Sequence, residues 1–326
     1  MSALLEISDL KTHFHDRKTG AQIRACDGVD LTIGEGEIVG LVGESGCGKS
    51  TLGRSIVGLE RPIEGRIVYN GVDVLGLRGD AQRAARRSIQ YIFQDPYSSL
   101  SIRQTIGQAI DEALLINGEK SASARKTRVA ELLDAVGLPN QIADRYPREM
   151  SGGQRQRVCI ARSLAANPKV LICDEPVSSL DVSIRAQIMN LFLKLRDEMG
   201  TACLLIAHDL AVVRQAAQRV YVMYLGRVME SGKSSAVYKA PSHPYTQSLL
   251  SAVPDPNPTV ERDRKRILLK GDVPSPINPP SGCRFRTRCP ASQAVCETNP
   301  PLRGLGDGHL ALCHFAGEVI LAPTQI

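Results

Sequence analysis

A chain of 326 residues, 43% hydrophobic and 23% charged, has the makeup of an ordinary globular protein and is long enough for roughly two domains. No apolar run reaches the ~18 residues that a membrane-crossing helix needs. The stretch Met1–Asp9 carries acids where a secretory signal would need a basic start and an apolar run, so a cytosolic chain is expected, with any membrane role supplied by partners.

In chain order, the first strong element is the apolar run Ile38–Val42, continuous rather than alternating, as in a strand buried on both faces. Directly after it, Gly43-Glu44-Ser45-Gly46-Cys47-Gly48-Lys49-Ser50 fits G-x-x-x-x-G-K-[ST] and runs through Thr51 into a helix start. Glycines let backbone N–H groups turn inward around phosphates, and the helix N-terminus adds positive potential. Lys49 is expected to reach the terminal phosphates and the Ser50 hydroxyl to ligate Mg²⁺. Cys47 reads as a variable position whose thiol the nearby positive potential could expose to oxidation.

Residues 95–165 turn polar and rich in Ala and Arg, which suggests a helical subdomain inserted between strands. Within it, Ser151-Gly152-Gly153-Gln154 opens a helix expected to stop before Asn167-Pro168, with two glycines that allow close approach of an anion. The next strand, Val170–Cys173, ends in two acids. Asp174 suits a Mg²⁺ contact, and Glu175 suits a base that orients or deprotonates an attacking water. Ile184, Ile188, Leu191, Phe192, Leu195 and Met199 keep helical spacing up to Gly200. A third buried strand, Cys203–Ala207, leads to His208, and residues 219–230 read as a hairpin turning at Leu225-Gly226. Beyond Pro241 the chain changes character: Pro254, Pro256, Pro258, Pro274, Pro276, Pro279 and Pro280 break any long helix. A boundary is placed near 240, giving 1–240 and 241–326.

The phosphate loop, Gln94, Ser151–Gln154, Asp174-Glu175, Ser179-Leu180-Asp181 and His208 occur in the order found in the ATP-binding subunits of ABC transporters. The resemblance covers residues 1 to about 240. It implies an α/β P-loop NTPase fold with a mixed sheet, an inserted helical subdomain and an N-terminal antiparallel β subdomain. It also implies ATP and Mg²⁺ as ligands, with Gln94 near the metal or water and His208 on the γ-phosphate. Asp181 would lie at a dimer contact. Phe14 is a candidate to stack on adenine, or equally an ordinary strand residue. In this family two subunits pair head to tail, so that Ser151–Gln154 of one closes over the ATP of the other. Met150 departs from the usual Leu before the Ser-Gly-Gly-Gln segment, a near-isosteric change.

Gln94-Asp-Pro-Tyr-Ser-Ser-Leu, His243-Pro-Tyr-Thr-Gln-Ser-Leu-Leu and Cys283-Arg-Phe-Arg-Thr-Arg-Cys289-Pro resemble dipeptide/oligopeptide importer ATPases and extend the likeness to nearly the whole chain. That resemblance implies a second, different ATPase subunit, two transmembrane permease subunits, an extracytoplasmic peptide-binding protein and a place at the cytoplasmic face of the bacterial inner membrane. Nickel, glutathione and antimicrobial-peptide importers share the tail. A soluble ABC-type ATPase of translation or DNA repair is the rival class, but the chain has one cassette and no coiled-coil insertion.

Nine cysteines fall into two groups. Cys26, Cys47, Cys159, Cys173 and Cys203 read as small core hydrophobes. Cys283, Cys289, Cys296 and Cys313 crowd into the tail without the tight pairs that structural zinc favours. A Cys-Pro step and four such thiols suit an iron–sulfur centre better than zinc, with no metal as a further alternative. The importer resemblance implies [4Fe–4S]. Arg284, Arg286 and Arg288 are expected to offset the thiolate charge. From Glu261 to Arg288 eight Lys/Arg face three Asp/Glu, a stretch open to nucleic acid, anionic lipid or plain solvent; nucleic acid is not expected as a partner.

Overall fold

The computed structural model describes residues 3–16, 18–178, 180–254, 262 and 266–321. Ser179, Pro256, Pro258, Glu261 and 263–265 lie outside the described residues. In chain order the elements are β1 (Leu5–His15), β2 (Gln22–Ile33), β3 (Ile38–Val42), α1 (Lys49–Ile56), β4 (Glu64–Tyr69), β5 (Val72–Asp73), α2 (Gly79–Ser88) and β6 (Ile89–Ile92). Then come α3 (Pro96–Ser99), α4 (Ile106–Ile116), α5 (Ala122–Ala135), α6 (Gly152–Leu164), β7 (Val170–Asp174), α7 (Val182–Met199) and β8 (Ala202–Ala207). The chain continues through α8 (Leu210–Arg214), β9 (Arg219–Tyr224), β10 (Arg227–Lys233), α9 (Ser234–Lys239), α10 (Pro244–Ala252), β11 (Leu302–Gly304) and β12 (Leu310–Leu312). The three apolar runs read as strands are β3, β7 and β8, each buried along its whole length.

Two compact units alternate along the sequence, one built from Met1–Leu4, Ile33–Ile38 and Tyr69–Ile206, the other from Leu5–Thr32, Val39–Val68 and Ala207–Ile326. In the first, β7 pairs in parallel with β6 (Ile89 opposite Val170) and with β8 (Val170 opposite Ala202). Helices α3 to α7 belong to the same unit. Both α4 and α6 open with a capping box, Thr105/Gln108 and Ser151/Gln154, which satisfies end N–H groups that would otherwise be orphaned. Asp181 caps α7 by accepting from Ile184 N at 3.0 Å. The helix buries Ile188, Leu191, Phe192 and Leu195 and stops where Gly200 turns left-handed.

In the second unit, β3 pairs in parallel with β9, and β9 pairs antiparallel with β10 through the turn at Leu225-Gly226. The C-terminal segment adds β12 to the outer edge of β10, and β11 pairs with β12. The mixed strand directions, together with an antiparallel N-terminal sheet in which β1 lies between β2 and β4, make this a mixed α/β fold. Cys26, Cys47, Cys159, Cys173 and Cys203 are all buried, as small hydrophobes are. No helix among the described residues is long and apolar enough to cross a membrane.

Candidate active site

The phosphate loop joins β3 to α1 in the second unit. Gly48 sits at φ 108° with no room for a side chain, because a Cβ there would lie 2.0 Å from the carbonyl oxygen of Ala25. Glycine is therefore required where the loop backbone passes against that of Ala25. The buried Lys49 ammonium donates to the carbonyls of Gly43 (2.8 Å) and Glu44 (3.0 Å). It also lies 3.8 Å from Cys47 Sγ. Burial pushes the Cys47 pKa up, outweighing the pull of Lys49, so the reactive thiolate is disfavoured.

The carboxylates lie in the first unit. Asp174, the last residue of β7, is buried and accepts a hydrogen bond from Tyr91 Oη at 2.7 Å. Glu175 follows with φ 45°, a left-handed conformation that costs a non-glycine residue on the order of 1–2 kcal/mol. The surroundings hold it there: its N–H donates to Ile206 O (2.9 Å), and its carbonyl accepts from Ser178 N (3.3 Å) and Ser178 Oγ (3.2 Å). Gln94 Nε2 donates to Glu175 Oε2 at 2.9 Å.

Gln94 continues into a segment locked onto α6. Asp95 caps α3, accepting from Tyr97 N and Ser98 N, and those bonds lower its pKa. The guanidinium of Arg155 lies 3.7 Å above the Tyr97 ring, while Arg162 donates to Ser99 O. Ser151 and Gln154 bond each other's backbone N–H, at 3.3 and 3.0 Å, so both side chains also serve as local caps. Gly153 is a packing requirement: a Cβ would lie 2.5 Å from Ile184 Cγ2 on α7. His208 is exposed just after β8, Phe14 is half-buried on β1, and Asp181 is exposed at the start of α7.

Cys283, Cys289, Cys296 and Cys313 line one small cavity, partly open to solvent, together with Phe285 and Phe315. Backbone N–H groups point at three of the sulfurs; that of Phe315 lies 3.4 Å from Cys313 Sγ. Burial pushes the thiol pKa up to about 11 at Cys283 and about 12 at Cys289. Among the described residues, no group of three or more His, Cys, Asp or Glu side chains is placed to hold a metal ion, so the geometry supports neither the iron–sulfur cluster nor the zinc alternative. The arginines correct a further expectation. Arg284 is buried against Asp27 and Leu225 O, and Arg288 pairs with Glu44, so only Arg286 lines the cavity. Two of the eight basic residues counted from Glu261 to Arg288 are thereby paired internally.

Sequence reasoning missed Tyr91 as the partner of Asp174, and missed that Tyr245 and Arg288, both in segments it had singled out, hold the loop residue Glu44. Their motifs were visible, but nothing local ties a tyrosine to an acid 83 positions away.

A phosphate loop on a mixed α/β sheet, with an acid pair ending a parallel strand, defines a P-loop ATPase cassette. The "ABC transporter" family model matches residues 26–178, and "Oligopeptide/dipeptide transporter, C-terminal region" matches 229–296. The chain belongs to the ABC transporter family, as one of its ATP-hydrolysing cassettes. It is 52% identical to the oligopeptide transport ATP-binding protein OppF of Salmonella typhimurium over 311 residues, covering 92% of this chain and 93% of that protein. OppF of Escherichia coli is 51% identical over 311 residues, with the same coverage of 92% and 93%. Among solved structures, the ATP-binding cassette MJ0796 in a dimeric post-hydrolysis state bound to ADP and Pi matches with a TM-score of 0.62 and 31% identity. It covers 71% of this chain and 98% of that one.

Proposed function

We propose that this chain is the ATP-hydrolysing subunit of a di-/oligopeptide importer, held at the cytoplasmic face of the bacterial inner membrane by its partners. The observation that carries the hydrolytic reading is the Gln94–Glu175 hydrogen bond of 2.9 Å at the end of β7. That contact supports a reading in which Glu175 accepts a proton and Gln94 orients the water. The peptide substrate is supported by the names of relatives about half identical over nearly their whole length and by the matched C-terminal region.

In this reading residues 1–240 are the ATP-binding domain and 241–326 the importer extension. The backbone from Gly43 to Thr51 cradles the phosphates, Lys49 bonds the terminal ones, and Phe14 stacks on adenine. Ser50, Gln94 and Asp174 would hold Mg²⁺, and Asp174, a buried acid steadied by Tyr91, suits that task; the ion neutralises charge on the phosphate oxygens. Glu175 takes the proton of the attacking water as its oxygen bonds to the γ-phosphorus and the bond to the β,γ-bridging oxygen breaks. His208 bonds the γ-phosphate. A second, homologous ATPase subunit supplies its own Ser-Gly-Gly-Gln segment over this ATP, while Ser151–Gln154 and Asp181 of this chain serve the partner's. Closure of the pair drives two transmembrane permease subunits fed by an extracytoplasmic peptide-binding protein, and hydrolysis reopens it.

The importer resemblance, rather than the geometry, is what supports a [4Fe–4S] cluster on the four cysteines, in a structural role. Each iron of such a cluster takes one thiolate. Cys289→Ser should strip iron and sulfide from brown protein; colourless, zinc-loaded wild-type protein contradicts the cluster. The importer reading is tested by purifying this chain from native membranes and identifying what accompanies it. Two polytopic membrane proteins and a second ATPase are expected, whereas ribosomes or repair factors without membrane proteins overturn it.

A further inference from the structure

Two motifs that ATP chemistry does not by itself require, His243-Pro-Tyr245 and Cys283-Arg-Phe-Arg-Thr-Arg288-Cys289, converge on one residue of the phosphate loop. The N–H of Glu44 donates to Tyr245 Oη at 2.9 Å, and the Glu44 carboxylate accepts from Arg288 Nη1 at 2.8 Å. Tyr245 is fully buried, and the Arg288 side chain is only 10% exposed. Tyr245 packs on Tyr224 and Phe285, with ring centroids 4.7 and 5.3 Å away, and Arg288 lies 5.9 Å from the Tyr224 centroid. A second tether reaches the same loop: Arg284 donates to Leu225 O at the hairpin tip, and the next N–H, of Gly226, donates to Cys47 O at 2.9 Å.

A carboxylate inside a loop built for a polyanion is an electrostatic liability. Left uncompensated, Glu44 would repel the phosphates and could turn its side chain toward the loop's own N–H groups. We propose that Arg288 and Tyr245 are positioning residues for nucleotide binding: Arg288 neutralises Glu44 and holds it aside, while Tyr245 fixes the direction of the Glu44 peptide. This rests on the reading that the loop binds ATP. The geometry also places Arg288 on the turn that carries the cavity residue Cys289, so the C-terminal extension acts directly on the loop.

The test is calorimetric titration of the full-length chain with Mg-ATP, with thermal unfolding run on every variant. Arg288→Gln should weaken ATP about fivefold to tenfold, as expected for exposing one charge near the ligand. Adding Glu44→Gln to Arg288→Gln should return affinity to within about twofold of wild type, because the repelling charge is gone. Tyr245→Phe keeps the ring packing and should weaken ATP a few fold; it carries the test should Arg288→Gln not fold. Wild-type affinity in Arg288→Gln or Tyr245→Phe overturns the proposal, as does a double variant no better than Arg288→Gln. Lys49→Ala separates the two levels. If it binds ATP like wild type, the ATP-loop reading itself fails. If it loses ATP while Arg288→Gln does not, only the positioning role fails.

Discussion

Glu175 and Gly153 occupy opposite ends of conformational tolerance. Glu175 is held at φ 45° by backbone bonds to Ile206 and Ser178, so the chain accepts local strain to aim one carboxylate at Gln94. Gly153 is unstrained but has no room: a Cβ would meet Ile184 at 2.5 Å. Gly153→Ala should therefore cost about 1–3 kcal/mol of stability, measured by thermal or denaturant unfolding, and Ile184→Ala should recover part of it. At this scale the loop and acid motifs were legible because their chemistry is contiguous in sequence. The partners were not. Tyr245 and Arg288 reach Glu44 across 201 and 244 positions, and such pairings are set by packing rather than by any local pattern.

Among the elements, β3, β7, β8 and α7 could be read directly, since continuous apolar runs and a helical stripe closed by glycine leave few alternatives. The attachment of β12 to β10 could not, because Leu310–Leu312 is too short to carry a strand pattern. What anchors the C-terminal segment is polar and long-range. Glu230 of β10 pairs with His309 (2.7 Å) and accepts from Ser242 N and His243 N, while Asp27 of β2 pairs with Arg284 and His13. Burial raises the Asp27 pKa, but Arg284, the His13 hydrogen bond and Arg227 outweigh it, so the net shift is downward. A carboxyl lowered in the folded state stabilises fully above its unfolded value near ~3.9, and that contribution is lost as pH falls through the lower native value. Thermal stability should thus drop as the pH falls below about 4, and Asp27→Asn should be less stable at neutral pH with a flatter acid limb. An unchanged acid limb in that variant would remove Asp27 from the account.

At the scale of the molecule, two compact units alternate along the chain, a division that composition along the sequence does not reveal. The phosphate loop, Phe14 and His208 belong to one, and Gln94, Asp174, Glu175, Ser151–Gln154 and Asp181 to the other. On the proposed function the Ser151–Gln154 segment serves the partner's nucleotide, so a lone chain should turn over slowly. The most direct test is ATP turnover by the complex purified through this chain, comparing wild type with Glu175→Gln. The account predicts that the variant still binds ATP and stays closed while turnover falls by at least about a hundredfold, the scale of losing a general base. Wild-type turnover in Glu175→Gln would contradict it.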